Sequence, residues 1–148
     1  MSTLFLLTIA ITAVSLAAIQ QSALTFDHYS ITVDNLDASA SFYKEVLQLP
    51  EIENKTQKKT IRWFSMGSHA ELHLIEGSTE EISVIQRLHL ALTSNNLDAL
   101  MERLREHNIS FGGAHGEPNF NTRADGIRQI FFQDPDGYWI EVNDLSQP

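Results

Sequence analysis

The chain has 148 residues, 43% hydrophobic and 20% charged, which suits one domain with a real core and excludes a disordered or fibrous chain. Ten Lys+Arg against nineteen Asp+Glu leave a net charge of −9, and that acidity repels phosphate backbones and anionic membranes, excluding a nucleic-acid function. Cysteine is absent, so there is no disulfide framework, thiolate metal site or catalytic thiol.

Residues Leu4 to Ile19 form an apolar run broken only by Thr8, Thr12 and Ser15. A membrane-spanning helix needs about 20 such residues, whereas this length suits the apolar core of a secretory signal peptide. Small residues follow at Ser15-Leu16-Ala17 and Gln21-Ser22-Ala23, although no Lys or Arg precedes Lys44. Residues 1–23 are therefore expected to be an export signal, with a periplasmic or secreted product and no stable membrane insertion after cleavage. The alternative is an uncleaved helix that anchors the protein. Residues 24–148 make up the domain.

That domain contains a repeat. His28 and His89 are each followed, seven residues on, by Asn-Leu-Asp-Ala, at Asn35–Ala38 and Asn96–Ala99. Two copies of one unit, about 25–77 and about 85–144, account for this. Each opens with period-2 alternation. Tyr29, Ile31 and Val33 oppose His28, Ser30 and Thr32, and Leu88, Leu90 and Leu92 oppose His89, Ala91 and Thr93. Asp37 and Asp98 are expected to cap helices running to about Val46 and Glu106, with Asn108 and Gly112-Gly113 ending the second.

Strand pairs follow. Thr60–Met66 and Ala70–Glu76 turn at Gly67-Ser68, and Ile127–Gln133 and Tyr138–Asn143 turn at Asp134-Pro135-Asp136-Gly137. The latter tetrapeptide has type I turn chemistry, which accounts for both aspartates. Short strands are expected near Glu51–Lys55 and Ile109–Gly112, and residues 114–126 read as a loop able to cover a site. Each unit is then β-α-β-β-β, an α+β fold with helices outside a curved mixed sheet.

Four polar residues interrupt these strands at matching places: His28 and His89 on the opening strands, His73 and Glu141 on the closing ones. Apolar neighbours Leu72 and Leu74, or Ile140 and Val142, claim the helix-covered face, so all four lie on the opposite one. If the repeats face each other about a pseudo-twofold axis, three imidazoles and a carboxylate converge. This is a ligand set for one divalent Zn, Ni, Co, Mn or Fe ion.

These residues, with Asp27-His28, Asn35-Leu36-Asp37, Ser41-Phe42-Tyr43, Leu72-His73-Leu74, Leu88-His89-Leu90 and the stretch Phe131–Glu141, resemble the vicinal oxygen chelate superfamily across residues 25–144. That group includes lactoylglutathione lyases, extradiol dioxygenases, bleomycin-resistance proteins and fosfomycin thiol transferases. The resemblance implies metal positions at His28, His73, His89 and Glu141. His73 stands where the lyases commonly carry Glu, which leaves Glu141 as both ligand and base. It also implies a small-molecule substrate, a homodimer, and a site within one chain or between two.

The expected activity is that of a metal-dependent lyase or isomerase resembling lactoylglutathione lyase, working on a small α-oxygenated carbonyl compound through an enediolate. The alternatives are an extradiol Fe(II) or Mn(II) dioxygenase using His28, His89 and Glu141, and a non-catalytic small-molecule-binding protein. No glutathione-binding residues are recognised. Glu71, on the same face as His73, is a second carboxylate of interest. Arg62, Arg123 and Arg128 are possible anion contacts, and His69, His107 and His115 read as surface groups.

Overall fold

A computed structural model describes residues 24–146; the expected export signal, residues 1–23, lies outside the described residues. The first unit comprises β1 (His28–Val33), α1 (Leu36–Ser41), a π-helical turn over Phe42–Val46, β2 (Glu51–Ile52), β3 (Ile61–Gly67) and β4 (Ala70–Glu76). The second comprises β5 (His89–Ser94), α2 (Leu97–Glu106), β6 (Phe111–Gly112), β7 (Asn121–Thr122), β8 (Arg128–Gln133) and β9 (Trp139–Asp144). The strand orders are β1-β4-β3-β2 and β5-β9-β8-β6. In both, the opening strand runs parallel to the closing one and antiparallel hairpins complete the sheet. The repeat seen in the sequence is thus a repeat of topology.

The helix starts differ from expectation by two residues. Asn35 and Asn96, not Asp37 and Asp98, are the N-caps, and their side-chain oxygens accept from the backbone N–H groups of Ala38 and Ala99. An amide oxygen satisfies the unpaired N–H of the first turn as well as a carboxylate does. The two aspartates are released to pair with arginines across the helix–sheet layer: Asp37 with Arg62 at 3.1 Å and Asp98 with Arg128 at 2.9 Å. The first helix also changes character, its last turn widening to π geometry at Phe42–Val46 where Phe42, Tyr43 and Val46 are all buried.

Within residues 114–126, read as loop, β7 pairs antiparallel with β8 through Asn121↔Gln129. Leu88, counted on a buried strand face, is instead 67% exposed just ahead of β5, where its N–H closes a turn onto the Ile85 carbonyl.

The core is continuous across both units. Ile31, Val33, Phe42, Tyr43, Phe64, Leu72 and Leu74 from the first join Leu97, Leu100, Leu104, Ile130, Phe132, Ile140 and Val142 from the second. Phe42 and Phe132 meet at 6.4 Å between ring centroids, and Arg103 Nε donates to the Val46 carbonyl. Burying this apolar surface is the main driving force for the fold.

A polar clamp adds to it. In the turn after β8, Asp134 Oδ1 accepts from the N–H groups of Asp136 and Tyr138, while Oδ2 accepts 2.7 Å from the Tyr43 hydroxyl. Asp136 accepts from Asp34 N–H at 2.7 Å and from the Ser39 hydroxyl at 2.5 Å. Tyr138 donates to the Thr32 carbonyl. Turn chemistry therefore explains only part of Asp134 and Asp136. Both also fasten the second unit to the first.

Candidate functional site

Alternation along β1, β3 and β4 places His28, Ser30, Trp63, Glu71 and His73 on the face opposite the core, with Trp63 beside His73 in register. The same logic on β5, β8 and β9 groups His89, Gln129, Phe131, Trp139, Glu141 and Asn143. The four expected ligands therefore share the predicted faces but fall into two pairs, one per sheet. Among the described residues, no group of three or more His, Asp or Glu side chains stands close enough to hold a metal ion. The physical reason is the core: the units bury their helix-covered faces together, so each pair lies on a face turned away from that shared interior.

The pair on the first sheet is a stack. The Trp63 and His73 ring centroids lie 4.2 Å apart at 8°, and His73 and His28 lie 4.4 Å apart at 15°. Each imidazole has a carboxylate at one nitrogen: Asp27 Oδ2 at 2.6 Å from His28 Nδ1, and Glu71 Oε2 at 2.8 Å from His73 Nε2.

The pair on the second sheet is a direct contact. His89 Nε2 lies 3.0 Å from Glu141 Oε2, and its Nδ1 lies 2.7 Å from the Gln86 carbonyl. That carbonyl can only accept, so Nδ1 donates to it and Nε2 is the nitrogen turned toward Glu141. Phe131 stands edge-on to the His89 ring at 5.4 Å.

Glu141 has a second, unexpected partner. Asn143 Nδ2 donates to Glu141 Oε1 at 2.6 Å. Two donors fix the orientation of that amide from behind, Arg123 Nη1 at 3.2 Å and Gln129 Nε2 at 3.4 Å, both reaching Asn143 Oδ1. Gln129 Oε1 in turn accepts from Asn121 on β7. The chain Asn121, Gln129, Asn143, Glu141 links the segment 114–126 to the carboxylate. Sequence reasoning passed over these amides, yet Asn143 sits two residues from Glu141 and shares its face, which was the available signal.

A cavity of about 490 Å³ in the second unit is lined by Gln86, Phe111, Gly113, Glu117, Phe131 and Trp139 among others, but not by His89 or Glu141 themselves. Gly113 permits its narrow wall, since a Cβ there would lie 2.9 Å from the Asn121 backbone nitrogen. A second groove of about 640 Å³ runs along β5 between the units, past Tyr29, Met66, His89 and Leu92. His69, His107 and His115 are exposed, as expected.

The chain matches the Glyoxalase/Bleomycin resistance protein/Dioxygenase superfamily over residues 25–142 and belongs to it. It is 28% identical over 121 residues to the uncharacterized protein YwbC of Bacillus subtilis (strain 168), covering 78% of this chain and 93% of the relative. Its fold is similar to that of the oxidase ChaP-H2, with a TM-score of 0.67, 20% identity, and 83% of this chain and 94% of that one covered. It is also similar to a lactoylglutathione lyase from Agrobacterium tumefaciens, with a TM-score of 0.61, 18% identity, and 82% and 94% of the two chains covered. At these identities the likeness is one of fold, and a fold of this kind hosts several chemistries.

Proposed function

We propose that the protein is a metal-dependent lyase or isomerase of the lactoylglutathione lyase type, acting on a small α-oxygenated carbonyl compound, with His28, His73, His89 and Glu141 as the metal ligands. The observation that carries this reading is the His89–Glu141 pair. Both side chains are held from behind, His89 by the Gln86 carbonyl and Glu141 by the Asn143 amide, so that Nε2 and Oε2 face one point. Outer hydrogen bonds of this kind orient histidine and carboxylate ligands. His28, with Nδ1 on Asp27, keeps Nε2 for a ligand bond. The donor set suits Zn, Ni, Co, Mn or Fe. Such an ion, when bound, supplies Lewis-acid polarisation of the substrate oxygens.

The chain's own residues do the rest. Glu141 Oε2 removes the proton from the carbon α to the carbonyl, leaving an enediolate, and returns it to the adjacent carbon. Oε1 stays on the Asn143 amide throughout, which keeps the carboxylate from rotating away. Phe131 and Trp139 shield the centre from water. The two ligand pairs come together between two copies of the chain, the first unit of one meeting the second unit of the other. Export through residues 1–23 belongs to the same proposal.

Elemental analysis of the purified full chain tests it, with His73→Ala and Glu141→Ala beside the wild type. The expected result is about one divalent metal per chain, lost in Glu141→Ala. A second reading rests on Glu71, which occupies His73 Nε2 and so favours a three-ligand set of His28, His89 and Glu141 with open positions, as an extradiol Fe(II) or Mn(II) dioxygenase requires. Retention of metal by His73→Ala together with oxygen uptake on catechols selects that reading. A wild type that stays empty after incubation with each metal overturns both and leaves a small-molecule-binding protein.

A further inference from the structure

Three arginines were possible anion contacts, and their surroundings divide them. Arg62 is held by Glu51 at 2.7 Å and Asp37 at 3.1 Å. Arg128 is held by Asp98 at 2.9 Å and Asp144 at 2.6 Å. Both lie out of step with the site residues on their strands, on the helix side, and each is neutralised by two carboxylates. Arg123 differs on every count. It follows β7 in the turn closed by the Arg123 N–H to Ile127 carbonyl bond and shares the face of Asn121 two residues earlier. Its guanidinium reaches Asn143, whose amide holds Glu141. Among the described residues its one carboxylate partner is Asp125 at 2.8 Å, and the two side chains are 43% and 52% exposed. An ion pair this exposed is weak and easily exchanged for another anion.

We infer that Arg123, joined to Glu141 through the Asn143 side chain, is an anion-binding subsite that receives a carboxylate or phosphate group of the substrate. The inference rests on the reading of Glu141 as the reacting centre and adds the class of substrate: an anionic α-oxygenated carbonyl compound. In a chain of net charge −9, an anionic ligand is repelled by the field of the whole molecule. A cation on the site face supplies the local attraction, and a planar guanidinium matches the two oxygens of a carboxylate or phosphate. Asp125 then acts as a stand-in anion that the ligand displaces.

The test titrates the full chain with pyruvate and, separately, with its neutral ester methyl pyruvate, following the Asn143 side-chain amide by NMR, first as purified and then in chelating buffer. Pyruvate is expected to give a saturable shift under both conditions, and methyl pyruvate none. Asp125→Asn, which removes the competing carboxylate, is expected to bind pyruvate about fivefold more tightly. Arg123→Gln is expected to lose the saturable shift. Equal shifts from the ester, unchanged or weaker binding in Asp125→Asn, or unchanged binding in Arg123→Gln each overturn the inference. A shift abolished by chelator overturns it too, since the anion is then held by metal rather than by Arg123. The chelator arm is read independently of whether a metal centre forms, so failure of the metalloenzyme reading is distinguishable.

Discussion

Asp134 shows how much one side chain in a turn can carry. Its carboxyl is buried, and burial chiefly raises its pKa from 3.8 to about 6, against the lowering effect of the hydrogen bond from Tyr43. A native state that holds its proton more tightly than the unfolded chain binds more protons between those two values, so stability falls as pH rises through that window. Below pH 3.8 the group is neutral in both states and the penalty vanishes; above pH 6 the full penalty applies, on the order of 3 kcal/mol for a shift of this size. Asp134→Asn removes the titration. Urea unfolding at pH 4 and pH 7 is expected to show the wild type losing stability relative to Asp134→Asn as pH rises. A constant difference between the two proteins would mean that Asp134 titrates normally.

At the level of elements, the repeat makes Arg62 and Arg128 counterparts, one on β3 and the other on β8, each strand pairing with its unit's closing strand, and each arginine paired to the aspartate in the first turn of its unit's helix. Their remaining partners set them apart. Glu51 is 31% exposed, whereas Asp144 is fully buried. Removing the arginine from a buried carboxylate strands a charge and costs roughly 3–5 kcal/mol, moderated here by the two bonds Asp144 accepts from Ser146. Removing it from an exposed pair costs about 1 kcal/mol or less. Thermal or urea unfolding is expected to show Arg128→Met far less stable than Arg62→Met. Equal losses would show that Asp144 is solvated in solution.

The elements were largely legible in the sequence because hydrophobic alternation and the Asn-Leu-Asp-Ala repeat are local signals. Ala70–Glu76 falls where it was expected, β3 and β9 slide by one residue at both ends, and β8 begins one residue later. The helix caps were missed because Asn and Asp are equally good N-caps and each helix offers both, two residues apart. The faces of His28, His73, His89 and Glu141 were legible through period 2. Their separation into pairs was not, since it depends on which sheet faces bury together, a property of Phe42, Tyr43, Phe132 and the Asp134–Asp136 clamp acting across about ninety residues of chain. The Asn143–Arg123–Gln129 network stayed hidden for the same reason: amides carry no signal until a sheet aligns them.

For the whole molecule, the two half-sites make assembly testable without knowing the substrate. The outer edges of β1 and β5 lie at the ends of their sheets, and unpaired edges are where a second chain can add. Leu88 and Phe26, 67% and 61% exposed, stand close by in sequence. If two copies share each metal centre, a His28→Ala/His73→Ala variant and a His89→Ala/Glu141→Ala variant each fail to bind metal alone. Mixed after partial unfolding and refolding, they are expected to regain binding at about one centre per four chains, because about half of the pairs that form at random are mixed and one of the two interfaces in a mixed pair is intact. No recovery on mixing, with sedimentation showing a monomer, would sink the shared-centre proposal.

The stacked rings of the first sheet also turn the molecule into its own indicator. The chain has two tryptophans; Trp63 lies flat against His73, and Trp139 stands in register with His89. Each half of the candidate centre therefore carries one natural fluorophore, stacked on its histidine in the first sheet and paired with its histidine across neighbouring strands in the second. Light emitted by Trp63 reports the charge and occupancy of the imidazole beneath it, and replacing Trp139 with Phe leaves that signal to be read by itself. The two ends of a pseudo-symmetric site can be watched one at a time, with no label added.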